Sequence, residues 1–393
     1  MKRKIQYILL SIIACILLTG CQNVEEPMNT VPSVKTDKVM FIGMTRARLS
    51  GNVSSKSNCK FLLSTQEDLS DAVELDAMIG DDEGNTYYRY VDNLTPATTY
   101  YVALYATDGY SKVIGNIETF KTNASLGIAD VTLEDWDTGE KQAFKNNIPC
   151  FLYSESNGEW IQSSFLDLLY AEDKWTISGK DNIGFDDGNK KIYAYHSTGD
   201  LNVEDCTKIY LWGNADFIYG SSEVLNNENP NAHIEMKHVM AKVSFEIKKD
   251  AAYKEVFVVN YANLRNNYNG GDYNAIKFDA FFNLLTGELS EGNIGYGHDG
   301  LFINDIELAI DSEKSNTIDF FAIPTSFDEN QAVLQLIPNG SWDKVFESPL
   351  GKATWESGKH YTYPVTVTAT GLVIGDVRVE EWNNQEGETI IIN

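Results

Sequence analysis

This sequence is short of positive charge. Its 393 residues carry 31 Lys+Arg against 57 Asp+Glu, a formal net charge of -26 at pH 7. Counterion release on nucleic acid needs clustered Lys and Arg, so no nucleic-acid partner is expected. Anionic headgroups are repelled as well, so membrane attachment has to be lipidic or transmembrane rather than electrostatic. Cysteine is scarce too: there are five, with no Cys-x-x-Cys pair, and their spacing matches no zinc knuckle. The five histidines are scattered, and no His-Glu-x-x-His, Gly-x-Ser-x-Gly or Gly-x-x-x-x-Gly-Lys occurs. No catalytic residue, metal ligand or cofactor is therefore assigned, and an enzyme is not expected. Nor does a helical period persist over three turns; Ser163 to Tyr170 is expected to form a short helix at most.

What is present begins with an address. Lys2, Arg3 and Lys4 precede an apolar stretch from Ile5 to Leu18, interrupted only by Gln6, Tyr7 and Ser11. These are the charge and length of a secretory signal, too short for a comfortable membrane span. The stretch ends in Leu18-Thr19-Gly20-Cys21, which resembles the bacterial lipobox. That resemblance implies cleavage between Gly20 and Cys21 and a diacylglyceryl group on the Cys21 thiol. Two or three acyl chains anchor a protein stably where one does not. Residues 21–36, with Glu25, Glu26, Pro27 and Pro32, then form the lipidated Cys and a polar tether. The acidic residues behind Cys21 resemble the surface-export signal of Bacteroides-group lipoproteins. Cys15 leaves with residues 1–20, and Cys59, Cys150 and Cys206 are expected to be buried free thiols, one disulfide being the alternative.

The body reads as short strands. Arg46 to Val53, Tyr87 to Val91, Tyr100 to Tyr105, Val243 to Ile247, Val256 to Val259, Val333 to Ile337 and Tyr363 to Val367 are β-branched or aromatic, and most alternate apolar with polar. Between them lie Gly84-Asn85, Asp186 to Asn189, Asn269 to Asp272 and Asn339-Gly340, residues that tolerate the positive φ of tight turns. The fold class is all-β, in tandem β-sandwiches.

Within residues 37–123, Leu94-Thr95-Pro96-Ala97-Thr98-Thr99-Tyr100 followed by Val102, Leu104 and Ala106 resembles the fibronectin type III pattern. It implies a sandwich in which the Tyr100 ring is buried and its hydroxyl bonds backbone upstream. Arg46 and Arg48 alternate outward there and need no binding role. Residues 126–393 resemble the fimbrillin family, sandwich-built pilins and pilin-like lipoproteins of the Bacteroides group. The likeness rests on four stretches in the family's order. They are Lys174-Trp175-Thr176 with Ile192 to Tyr195, Asp216 to Gly220, Lys237 to Phe245 around His-x-Met-Ala-Lys-Val, and Trp355, Gly358, Tyr361 and Tyr363 leading to Gly371 to Ile374. Leu126 to Trp136 also parallels Leu372 to Trp382, which suggests equivalent strands of two transthyretin-like lobes, 124–229 and 230–393.

Isolated candidates for chemistry are weak. His233 and His238, five apart on a strand, should face opposite ways. Asp76, Asp81, Asp82, Glu83 and Asn85, like Asp186, Asp187 and Asn189, suit turns better than calcium. Tyr87, Tyr88 and Tyr90, or Tyr268, Tyr273 and Trp342, are candidates to stack on sugars, though most should be core or cross-strand partners.

The fimbrillin resemblance implies a lipid-anchored structural protein or adhesin of the outer-membrane surface, an anchor, tip or accessory component of fimbriae. In that family, proteolysis after a basic residue removes an N-terminal strand and opens a groove. A strand from the next subunit then fills it, so the expected partners are other fimbrial subunits, with host or glycan ligands besides. The candidate donor strand here is Thr389-Ile390-Ile391-Ile392, which pairing within its own sheet would occupy instead. The alternative is a monomeric glycan-binding surface lipoprotein of a polysaccharide uptake system.

Overall fold

The computed structural model describes residues 32–80, 84–178, 183–186, 188–267, 275–292 and 300–380. Among them there is no helix. The chain divides into two compact units, residues 1–122 and 123–393.

The first unit holds β1 (Val34–Thr36), β2 (Ala47–Val53), β3 (Asn58–Ser64), β4 (Val73–Asp76), β5 (Met78–Ile79), β6 (Thr86–Val91), β7 (Thr99–Thr107), β8 (Lys112–Ile114) and β9 (Glu118–Lys121). One sheet runs β1-β2-β6-β5; the other runs β4-β3-β7-β8, with β9 also on β7. Period-2 alternation sends Leu49, Tyr87, Phe61, Val102 and Leu104 into one core shared by both sheets. Gly51 is required where β2 crosses the core: an added Cβ would stand 2.6 Å from the Lys35 carbonyl oxygen. The Tyr100 hydroxyl accepts the Thr95 N–H at 2.9 Å and its ring stacks on Phe120 at 5.6 Å, the corner that the sequence pattern implied.

The second unit opens with β10 (Gly127–Glu134), β11 (Lys141–Ala143), β12 (Ile148–Ser156), β13 (Glu159–Ala171), β14 (Lys174–Ile177), β15 (Lys190–Ser197), β16 (Ile209–Trp212), β17 (Phe217–Ser221) and β18 (Asn231–His238). It continues with β19 (Ala241–Lys249), β20 (Val258–Asn266), β21 (Asp279–Asn283), β22 (Glu288–Glu291), β23 (Leu301–Ile303), β24 (Leu308–Ala309), β25 (Asn316–Ala322) and β26 (Thr325–Phe327). It ends with β27 (Ala332–Pro338), β28 (Phe346–Pro349), β29 (Ala353–Trp355), β30 (His360–Val367), β31 (Leu372–Ile374) and β32 (Arg378–Glu380).

An eight-stranded sheet, β11-β10-β18-β17-β15-β12-β13-β14, forms the first lobe. Cys150, Leu152, Ile192 and Ile234 bury one of its faces, and Phe151, Tyr153, Tyr195 and Phe217 bury the other. Burial on both faces is why β12 reads as a nearly continuous apolar run rather than an alternation. The small sheet β16-β21-β22 covers the second face, contributing Ile209, Leu211, Phe282 and Leu284. The second lobe is a sandwich of β25-β19-β30-β31, with β32 also on β30, against β23-β20-β27-β28, with β24 also on β20. Phe245, Leu264, Phe320, Leu334, Trp355 and Tyr363 fill it.

Two expectations change here. Ser163 to Tyr170 is strand, part of β13, because Asn157 and Gly158 take positive φ (54° and 82°) and fold β13 back on β12 in a two-residue hairpin. Leu166 and Leu168 then pair with Cys150 and Ile148, and the exposed Phe165 and Asp167 alternate with them. The similar stretches at Leu126 and Leu372 do not hold equivalent places. β10 runs parallel to β18, whereas β31 runs antiparallel to β30. The parallel partner of β30 is β19, so β19 is the topological counterpart of β10. A boundary at 229/230 precedes β18, which is hydrogen-bonded into the first sheet; we propose Val239–Met240 as the division between lobes.

Candidate functional site

Gly20, Cys21 and the candidate donor strand Thr389, Ile390, Ile391 and Ile392 lie outside the described residues, as do Asp81, Asp82, Glu83, Asp187, Tyr268 and Tyr273. The remaining candidates fall into three groups.

Histidines gather where the two lobes of the second unit meet. His233 and His238 do face opposite ways on β18, His233 exposed and His238 buried. His233 Nδ1 lies 2.8 Å from Asp130 Oδ2 at the surface. His238 Nδ1 lies 2.9 Å from Asp216 Oδ2, its Nε2 lies 3.1 Å from the Glu134 carbonyl oxygen, and its ring stacks on Trp136 at 3.7 Å. It is thus a satisfied structural histidine. The His-x-Met-Ala-Lys-Val stretch gains a physical sense: His238 ends one lobe, buried Met240 fills the junction and Ala241 starts the other. A second histidine, overlooked in the sequence, ties the same connector from the other side. His360 Nδ1 lies 2.5 Å from Asp137 Oδ1, and its Nε2 lies 2.7 Å from Ser244 Oγ. Asp137, His360 and Ser244 have the residue types of a nucleophile relay. Ser244, however, is only 2% exposed and its hydroxyl donates to Asp319 at 2.5 Å, so this triplet fastens Asp137 to the second lobe. No signal in the sequence connects residues 137 and 360, because the contact is entirely tertiary.

Beside this junction lies a cleft of about 660 Å³, lined among others by Glu134, Tyr219, Lys237, His238, Phe282 and Lys359. One carboxylate, two ammonium groups and a phenol suit a polar ligand, and no nucleophile paired with a base stands among them. Tyr219 is held there by Gly287, whose positive φ (74°) brings the backbone against the ring.

The aromatic candidates divide. Tyr87 is core, and its hydroxyl donates to the Ser57 carbonyl at 2.6 Å. Trp342 is 61% exposed, edge-on to Tyr261 at 5.0 Å. Tyr88 and Tyr90 stand on the outward face of β6 around Arg48, whose guanidinium lies 5.3 and 5.9 Å from their ring centres. Cys59, Cys150 and Cys206 are buried free thiols. Asp76 pairs with Lys60 at 3.3 Å and Asp186 accepts from Asn123 at 2.7 Å. Among the described residues no three His, Cys, Asp or Glu are placed to hold a metal.

These observations define a class: an all-β protein of tandem sandwiches whose two C-terminal lobes are fastened through a buried polar junction. The chain belongs to the Fimbrillin-like family, whose profile matches residues 138–382. It is similar in structure to a candidate cell adhesion protein from Bacteroides ovatus, with 15% identity and a TM-score of 0.46, over 67% of this chain and 100% of that one. A counterpart from Bacteroides uniformis shares 13% identity with a TM-score of 0.44, over 66% and 98%. A candidate adhesin from Bacteroides thetaiotaomicron shares 10% with a TM-score of 0.33, over 66% and 97%. No curated protein matches the chain.

Proposed function

We propose that this is a lipid-anchored, surface-exposed adhesion protein of the fimbrillin type, acting as an anchor, tip or accessory component of a fimbria. The observation that carries this is the Fimbrillin-like match across both C-terminal lobes. The lipobox-like Leu18-Thr19-Gly20-Cys21 ahead of them supports the anchor. The first unit, read as a fibronectin type III-like spacer, lifts the lobes off the membrane. A stalk subunit cut free by proteolysis would lose both that unit and Cys21, which favours an anchor or tip over a stalk. Assembly is by strand donation, with residues 388–393 as donor: an open groove exposes backbone groups and apolar pockets, and a donated strand satisfies both.

The test is a denaturing gel of the native membrane fraction, run with and without boiling and probed for this protein. A ladder that collapses on heating is the expected result; a single band near the mature mass in both lanes would remove the assembly reading. Cys21→Ala should abolish labelling by a fatty-acid probe, and deletion of residues 388–393 should abolish polymer incorporation while both units stay folded.

A further inference from the structure

We propose that the outward face of the β1-β2-β6-β5 sheet binds a terminal sugar bearing a carboxylate, through Tyr90 and Arg48, which gives Arg48 a role that strand alternation alone did not require. This goes beyond the adhesion reading and does not depend on fibre assembly.

The face is built in two rows. Met40 bridges Arg48, and Arg48 pairs with Tyr90 across the strands; in the next row Ser50 pairs with Tyr88 and Tyr88 with Met78. Cross-strand partners point to the same side, so Met40, Arg48, Tyr90, Tyr88 and Met78 share one surface. Exposure is high for its apolar members: Tyr90 57%, Met78 49% and Met40 45%. Arg89 stands opposite Leu49, on the inner face, and takes no part.

Arg48 shares with Arg89 a buried Nε that has no hydrogen-bond partner, but Arg48 alone of the two lies on the outward face, between two tyrosine rings. The chain has 57 acidic residues, and Arg265 and Arg378 in the second unit each pair with a glutamate, Glu347 at 2.9 Å and Glu246. Arg48 forms no ion pair among the described residues, and its buried Nε has no hydrogen-bond partner. Asp37, just after β1, is committed to Asn52 at 2.6 Å and Lys35 at 3.6 Å. The guanidinium is instead held by the two tyrosine rings, themselves edge-to-face at 5.9 Å. Cation–π contact with two rings steadies the guanidinium, and the N–H edge of an arginine matches a carboxylate bidentately.

An exposed ring beside a fixed cation suits a ligand with an apolar C–H face next to an acid, which is the outline of a pyranose carrying a carboxylate. The net charge of -26 works against a long polyanion, so a single acidic sugar at a chain end fits better than an acidic polymer.

The test is calorimetry on the mature chain at physiological salt, with sialyllactose and a glucuronic-acid-terminated disaccharide as probes and lactose as the neutral control. At least one acidic sugar should bind tenfold or more tighter than lactose, and which one does identifies the source of the acid. Tyr90→Ala, Arg48→Gln and Arg48→Lys should each weaken that binding tenfold or more, the last because an ammonium cannot replace the planar fork. Tyr90 is largely exposed, so its variant should keep the wild-type melting temperature and isolates binding from folding. No binding of either acid at millimolar concentration, equal binding of lactose, or full binding by Tyr90→Ala would overturn the proposal.

Discussion

Burial turns several ordinary side chains of this protein into fixed structural parts. Burial, helped by the nearby Asp167 charge, pushes the Cys150 thiol from 9.0 up to about 12, and burial raises Cys59 as well. Mass spectrometry after maleimide treatment at pH 8 should find Cys59, Cys150 and Cys206 labelled only once the chain is denatured. The same shift has a sign in stability. The folded state holds the Cys150 proton where the unfolded chain releases it, so stability falls as pH rises from about 9 toward 12. Burial raises Tyr195 and Tyr363 to about 12 in the same direction. Urea titrations at increasing alkaline pH should therefore show a falling midpoint. His238→Ala should cost roughly 3 kcal/mol in the same assay, since it leaves the Asp216 carboxylate buried without its partner. Asp216 Oδ1 already lacks one. His238 could be recognised in the sequence as a structural histidine on a strand. Its stacking on Trp136 could not, because the residues meet only when β10 lies beside β18.

Corners and hairpins separate what local sequence encodes from what it does not. The Tyr100 corner was legible because Leu-x-Pro-x-Thr-x-Tyr sets the turn and the strand together. An equivalent corner exists in the second unit, where the Tyr361 hydroxyl accepts the Glu356 N–H at 2.9 Å, again five residues upstream. It lacks the proline frame and leaves no such pattern. Tyr100→Phe and Tyr361→Phe should each cost about 1 kcal/mol, seen as a lower denaturant midpoint with an unchanged slope. The β12–β13 hairpin shows the opposite failure: Asn157-Gly158 is a strong turn signal, yet the leucine-rich run after it reads as helix if the turn is passed over. Short strands with alternating residues were legible throughout. Strand pairing was not, since Ile209 meets Phe282 and Lys242 meets His360 across separations that no local pattern spans.

For the molecule as a whole, the sequence conveyed the all-β class and the family stretches, while the arrangement of cores emerges only from the fold. Each unit has its own core, so calorimetry of the mature chain should resolve two thermal transitions. A chain beginning at Asn123 should keep one of them unchanged. Within the second unit the lobes are interleaved: β21 and β22, which follow β20 of the second lobe, lie over the first lobe by pairing with β16. That crossing has a consequence for the order of synthesis. Chains emerge N-terminus first. The strands that carry Phe151, Tyr153 and Phe217 are complete long before Phe282 and Leu284 exist to cover them. Until residue 291 has been made, that aromatic face is covered only in part, by β16 and its neighbours, so the growing chain passes through a stage prone to aggregation.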